Sequence, residues 1–317
     1  MSKQQGVTPR SDFTGAETQQ LETDHNSGPR PGRSISNDVP LQRLSPAIEP
    51  APAIEPPMTS QPTGLSGRVA LVAGGTQGLG LAAGRALAAA GASVVLGGRR
   101  ADVAAQEAQT LGGAIGVRLD ITDQTSIRAA AELARSQFGK IDIVILNGGG
   151  PPRANAATVK LDDARSAAEL LLYGPIALAQ LALGEMGERG WGRIVAVGSS
   201  SVQQPVAGLV SSGMFRAALA NYLKTLAGEV ARGGITVNMV VPGRIATDRV
   251  AYLDAAMAQS LGREAGEVER ESQAAIPAGR YGRPEEFADV VAFLCSDAAQ
   301  YVNGSQIRVD GGMIRGI

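Results

Sequence analysis

Between Arg68 and Gly84 the sequence runs RVALVAGGTQGLGLAAG, an apolar stretch that breaks into glycines and resumes as an alanine-rich segment. That order reads as strand, tight turn and helix. Gly74 and Gly78 let the backbone turn sharply, Gly80 lets it approach a pyrophosphate, and the free N–H groups that open the helix favour an anion. Thr76 and Leu79 belong to the same turn. A glycine cluster made only for close packing would look alike. What separates this one is its context, a Val/Leu/Ala strand before it and the helical stretch Leu79–Ala90 after it. The chemistry expected is dinucleotide binding. At the end of the next strand, Ser93–Gly97, an acid would bond a ribose 2′-hydroxyl, but the sequence offers Gly98, Arg99 and Arg100. Cations without a carboxylate suit a 2′-phosphate, so NADP(H) is expected over NAD(H).

Composition narrows the remaining classes. The 317 residues are 44% hydrophobic with a net charge of −1, enough for one large core and too nearly neutral to hold nucleic acid or an acidic membrane surface. We expect no apolar run long enough to span a bilayer. The single histidine, His25, falls in a Gln/Ser/Pro-rich stretch. A Ser–His–Asp hydrolase or a His-ligated metal centre therefore lacks its parts, and no metal site is expected. One cysteine, Cys295, excludes an internal disulfide and suits a cytoplasmic protein.

Residues 1–60 carry a short direct repeat, PAIEP at 46–50 and 52–56, and read as a disordered tail, with Met58 a candidate alternative start. Residues 61–317 read as one domain. From Arg68 short apolar strands alternate with helical stretches: strands Val69–Ala73, Ser93–Gly97, Ile115–Leu119, Ile141–Leu146, Arg193–Val197, Thr236–Val240 and Ser305–Val309, with helices after Gly78, near Asp102–Thr110, and at Thr125–Phe138, Asp162–Met186 and Met214–Ala231. The fold class is α/β, a doubly wound parallel sheet of the Rossmann type. The longest connection, around 243–283, is expected to be a substrate lid.

With those segments in place the chain resembles the short-chain dehydrogenase/reductase family over residues 65–317. AGGTQGLG at 73–80 is similar to the family's glycine turn, LNGGG at 146–150 to its Asn-Asn-Ala-Gly stretch, and NMVVPGRIATD at 238–248 to its Asn and Pro-Gly segment. GRYGRPEEFADVVAFLCSDAAQYVNGSQIRVDGG at 279–312 resembles the C-terminal signature. The resemblance implies that Asp120 and Ile121 meet the adenine, that Asn147 and Gly148 border the cofactor, and that Pro242, Gly243 and Thr247 hold the nicotinamide end. It also implies a small-molecule substrate and a homo-oligomer, dimer or tetramer.

The catalytic positions depart from the family. Its Tyr-x-x-x-Lys pair acts with a serine thirteen residues before the tyrosine and an asparagine on the preceding helix. Here Ser199 takes the serine position, which places Ser212 where tyrosine belongs, Arg216 where lysine belongs and Leu171 where asparagine belongs. A phenol can deliver a proton to a developing alkoxide; a serine hydroxyl is a far weaker acid and shorter by most of a ring. Arg216 can still hold the nicotinamide ribose. Tyr173 and Tyr222 lie on other helix faces, and Tyr252 opens the expected lid. Two functions remain: an NADP-dependent oxidoreductase of a carbonyl or alcohol, with Ser199 polarising the oxygen and Ser212 or water relaying the proton, or an NADP-binding regulator or partner subunit without redox turnover.

Overall fold

The strands form because short Val/Ile/Leu runs, buried on both faces, cannot be left in water. The computed structural model describes residues 64–316, so the expected tail, with its repeat, Met58 and His25, lies outside the described residues. Seven strands, β1 Val69–Val72, β2 Ser93–Gly98, β3 Ile115–Arg118, β4 Ile143–Leu146, β5 Gly192–Val197, β6 Ile235–Pro242 and β7 Gln306–Val309, pair in the order β3-β2-β1-β4-β5-β6-β7. All six pairings are parallel, as the strand–helix alternation requires. Strand order reverses between β1 and β4, whose neighbouring carboxyl ends open the crevice in which such sheets bind ligands.

Helices cover both faces. On one, Ile127 and Ala131 of α3 (Gln124–Phe138), Leu178 and Ala182 of α5 (Gly174–Glu188) and Leu219 and Leu223 of α6 (Val210–Val230) pack over Leu71, Val144, Ile194 and Val237. On the other, Ala83 and Leu87 of α1 (Gly78–Ala89) and Phe287, Val291 and Leu294 of α9 (Pro284–Cys295) pack over Ala70, Val72, Ile145 and Val195. Alternate residues of a strand thus enter opposite cores. Helix α2 (Ala101–Gln109) lies so close to β3 that a Cβ on Gly116 would stand 2.1 Å from the Ala104 carbonyl carbon.

Several expectations need correction. The single helix expected at Asp162–Met186 is α4 (Leu161–Ala168), a π turn at Glu169–Tyr173, and α5. By length and composition the whole run Leu161–Glu188 is apolar enough to cross a bilayer, contrary to expectation. Its Leu171, Leu178, Ala179, Ala182 and Met186 are instead buried in the protein, and Glu185 pairs with Arg135 of α3 at 2.8 Å. Helix α6 begins at Val210, four residues before the expected Met214, so Ser212 sits in its first turn. The connection expected to be a substrate lid carries α7 (Asp248–Leu261) and α8 (Ala265–Ala274), and α9 follows it.

That connection is fastened to the body. Buried Asp254 of α7 is bonded to Arg244 and accepts a hydrogen bond from the Tyr281 hydroxyl at 2.7 Å. Burial, outweighing a hydrogen bond from Ser272, raises the Tyr281 pKa, with the Asp254 carboxylate adding to the rise. Asp254→Ala leaves Arg244 without its acid and should cost about 2 kcal/mol, roughly 4 to 8 °C in Tm. Hydrogen exchange should quicken in α7 before the sheet; an unchanged Tm with unchanged exchange would show that the clip does not hold α7.

Candidate functional site

Glycines shape the first half of the site by what they leave out. Gly74 and Gly78 have positive φ, 60° and 52°, and turn the chain from β1 into α1. A Cβ on Gly80 would stand 2.1 Å from the Gly74 carbonyl oxygen and 2.7 Å from Asn147 Nδ2. Asn147, one residue past β4, donates from Nδ2 to that same Gly74 oxygen at 3.2 Å, tying the turn across the switch point. The turn and the N-terminus of α1 form a cradle of backbone that any side chain would fill, which fits a dinucleotide pyrophosphate. Leu79 is half-buried beside it, and a Cβ on Gly78 would meet Thr247 Cγ2, at the N-cap of α7, at 3.8 Å.

The adenine end is built from the ends of β2 and β3. A Cβ on Gly98 would meet Thr76 Cγ2 at 2.4 Å, so the position that lacks an acid has no room for one while Thr76 holds its place. Arg99 and Arg100 are exposed. Partial burial pushes the Asp120 carboxyl up, but the Thr122 backbone N–H and hydroxyl, helped by Arg99 and Arg118, outweigh it and hold the group below its ordinary value. Ile121 beside it is buried. Its carbonyl would stand 2.0 Å from a Cβ on Gly174, so α5 starts directly against this loop.

Arg216 ties the end of β5 to Ser212 in the first turn of α6, and Ser199 follows two residues past the end of β5. Ser199 Oγ accepts from the Ser201 N–H at 3.2 Å and the Ser201 hydroxyl at 2.8 Å, which leaves its own hydrogen to donate elsewhere. Gly213 lets α6 close on that turn, a Cβ there lying 3.2 Å from the Ser201 carbonyl. Buried Arg216 donates from Nε to Ser212 Oγ at 3.3 Å, and from its two terminal nitrogens to the Val197 and Gly149 carbonyls at 2.5 Å each. Burial, with Arg249 adding repulsion, pushes its pKa down to about 10, so it stays a cation at neutral pH. The sign for stability follows from that depression: the cost of burying the charge is constant below about pH 10 and is relieved only above it.

Leu171 is buried to 1% exposure within the π turn and offers no polar atom, so no side chain replaces the asparagine. The turn carries the Leu170 carbonyl to 2.3 Å from where a Gly148 Cβ would lie. Pro242 ends β6 and Gly243 follows it, where a Cβ would stand 2.7 Å from Asp310 Cα. None of the spare tyrosines joins Ser212. Burial, opposed by a hydrogen bond to Gln180 of α5, raises the Tyr222 pKa, while Tyr173 and Tyr252 are 55% and 60% exposed.

Two cations were missed in the sequence. Arg249 of α7 reaches across the crevice to the Pro151 carbonyl at 3.1 Å, and Arg153 bonds the Ala207 carbonyl at 3.3 Å. Neither spacing nor composition sets them apart from ordinary solvated arginines. A cavity of about 240 Å³, lined by Arg153, Ala154, Gly208, Ala256 and Met257 among others, opens between the loop after β4 and α7. A larger cavity, about 580 Å³, lies along β6 and β7 near Lys224 and Arg308 and contains none of the expected site residues.

Comparison with known proteins agrees with this geometry. Residues 73–314 match the family described as enoyl-(acyl carrier protein) reductase. The chain is 35% identical over 254 residues to 3-oxoacyl-(acyl-carrier-protein) reductase of Aquifex aeolicus (strain VF5), covering 78% of this chain and 98% of that protein. Among solved structures it is similar to L-sorbose reductase from Gluconobacter frateurii complexed with NADPH and L-sorbose (30% identity, TM-score 0.77, 81% of this chain and 100% of that one). It is also similar to YwfH, an NADPH-dependent reductase involved in bacilysin biosynthesis (28% identity, TM-score 0.74, 79% and 99%). A parallel sheet with its glycine turn at the β1/β4 switch, matched in sequence over most of its length by oxidoreductases, shows that the chain belongs to the short-chain dehydrogenase/reductase family.

Proposed function

We propose that this chain is an NADP(H)-dependent oxidoreductase that interconverts a small carbonyl compound and its alcohol without a tyrosine acid. The reading is carried by the Asn147–Gly74 bond, which ties the glycine cradle to the loop after β4, and by Arg216, which bonds both that loop and Ser212. When bound, the reduced nicotinamide supplies hydride to the carbonyl carbon. Ser199 donates its free hydrogen to the carbonyl oxygen and so stabilises the charge that grows there. Ser212 passes its hydroxyl proton to the alkoxide and regains one from water, while Arg216 holds that hydroxyl and keeps a fixed positive charge beside it. Gly74, Gly80, Thr247, Pro242 and Gly243 bind and orient; α7 and α8 form the lid that excludes water.

The preference for NADP(H) rests on the filled space at Gly98 and the exposed cations at Arg99 and Arg100, and two structural neighbours are described with NADPH. A homo-oligomer of cytoplasmic location belongs to the same proposal, suggested by the exposed Leu133, Tyr173 and Met214 on the helices of one face and by the lone buried Cys295.

NADPH should bind more tightly than NADH, and Arg99→Ala should narrow that difference about tenfold in a fluorescence titration; equal constants in the native protein would remove the preference. Ser212→Ala should slow carbonyl reduction by roughly two orders of magnitude, and Ser212→Tyr should raise it, since the Arg216 cation favours a phenolate. An unchanged rate in Ser212→Ala would assign the proton to water. Tight NADPH binding with no turnover in the native protein or either variant would favour the regulator or partner-subunit alternative.

A further inference from the structure

The mouth of the crevice carries two arginines that no acid neutralises. Arg249 and Arg153 both meet backbone carbonyls and, among the described residues, neither has a carboxylate within 4.0 Å. This is not a property of the segment as a whole: Arg244, Arg263, Arg280 and Arg283 are each paired with Asp254, Glu271 or Glu286. A carbonyl takes one or two of the five guanidinium hydrogens, so both groups keep donors to spare. Both sit on the loop that follows β4, Arg153 as a member of it and Arg249 reaching onto it from α7, and Arg249 is near enough to lower the Arg216 pKa. Arg216 holds the Gly149 carbonyl, Arg249 the Pro151 carbonyl, and Arg153 belongs to the same loop, so three cations meet the short stretch from Gly149 to Arg153.

An anion that reached this loop would meet guanidinium hydrogens that no carboxylate occupies. The cavity beside Arg153, about 240 Å³ with Ala154, Ala256 and Met257 in its wall, has room for a short carbon skeleton. Resting on the oxidoreductase reading above, we infer that the substrate is a small carbonyl compound bearing a carboxylate, whose oxygens are gripped by Arg153 and Arg249 while its carbonyl reaches Ser199. The planar guanidinium fork matches a carboxylate, and two of them fix its orientation. The arginines act as specificity-determining residues; proton delivery stays with the Ser212 group.

The probes are acetoacetate and levulinate, each beside its neutral methyl ester. With the full chain and NADPH, the ratio of kcat/KM for acid over ester should exceed about tenfold, and Arg153→Met or Arg249→Met should each reduce that ratio several-fold, with Arg249→Lys keeping part of it. Calorimetric titration of each acid and ester into the NADP-loaded protein supplies a readout independent of turnover. Dissociation constants for NADPH are measured in every variant. Acids that bind no tighter than their esters overturn the inference, as does failure of all four probes to bind. A drop in NADPH affinity that accounts for the whole loss in Arg249→Met overturns it too, because Arg249 would then serve the cofactor phosphates. Acid binding that depends on both arginines in a protein that reduces none of the probes upholds the carboxylate site and removes the redox reading instead.

Discussion

One buried guanidinium joins the parts of this site. Arg216 takes the Val197 carbonyl at the end of β5, the Gly149 carbonyl after β4 and the Ser212 hydroxyl of its own helix, and it is only 8% exposed. Removing a charge from water is expensive, and three acceptors without an acid do not neutralise it. The low pKa, about 10, records that expense. What the structure gains is register: the end of β5, the loop after β4 and α6 are held to one planar fork. An ammonium in the same place would offer a compact point charge without the fork. The replacement of lysine by arginine is thus a different way to fix the floor of the crevice.

The same constraint gives the glycine cradle its partner. Asn147 and Gly149 are two residues apart on the loop after β4; the first holds the Gly74 carbonyl, the second is held by Arg216. The cofactor cradle and the proton-relay group are therefore mounted on opposite ends of one short loop. Carboxylate recognition by Arg153 and Arg249 extends that loop's role outward, since both arginines bond carbonyls on it or facing it.

Much of this was legible in the sequence. The strands were, because fully buried runs such as VALV and IVIL have no other solution, and so was the glycine turn, because its spacing follows from backbone sterics. The π turn was not: nothing in ELLLY breaks helical periodicity, and the bulge comes from packing against Gly148 and Ile121. Helices α7 and α8 were covered only by the expected lid, with no bounds, because α8 is polar apart from a face centred on Val268 and α7 hides its one key contact, Asp254 with Tyr281, across 27 residues. Ser212 and Arg216 could be placed by counting from Ser199, yet the three-way grip of Arg216 was invisible, since its carbonyl partners carry no side-chain signature. Arg249 was dismissed with its charged neighbours for the same reason.

The most direct test is the pH dependence of carbonyl reduction with NADPH at saturating cofactor. Among the described residues the crevice offers two serines, Arg216 at about 10 and Arg249, with no histidine and no tyrosine at the reacting end. A relay through Ser212 from water, beside a cation that keeps its proton up to about pH 9, predicts kcat/KM for a neutral ketone that is flat from about pH 6 to about pH 9. A fall through a single titration inside that window would reveal an acid the account does not contain, and would contradict it.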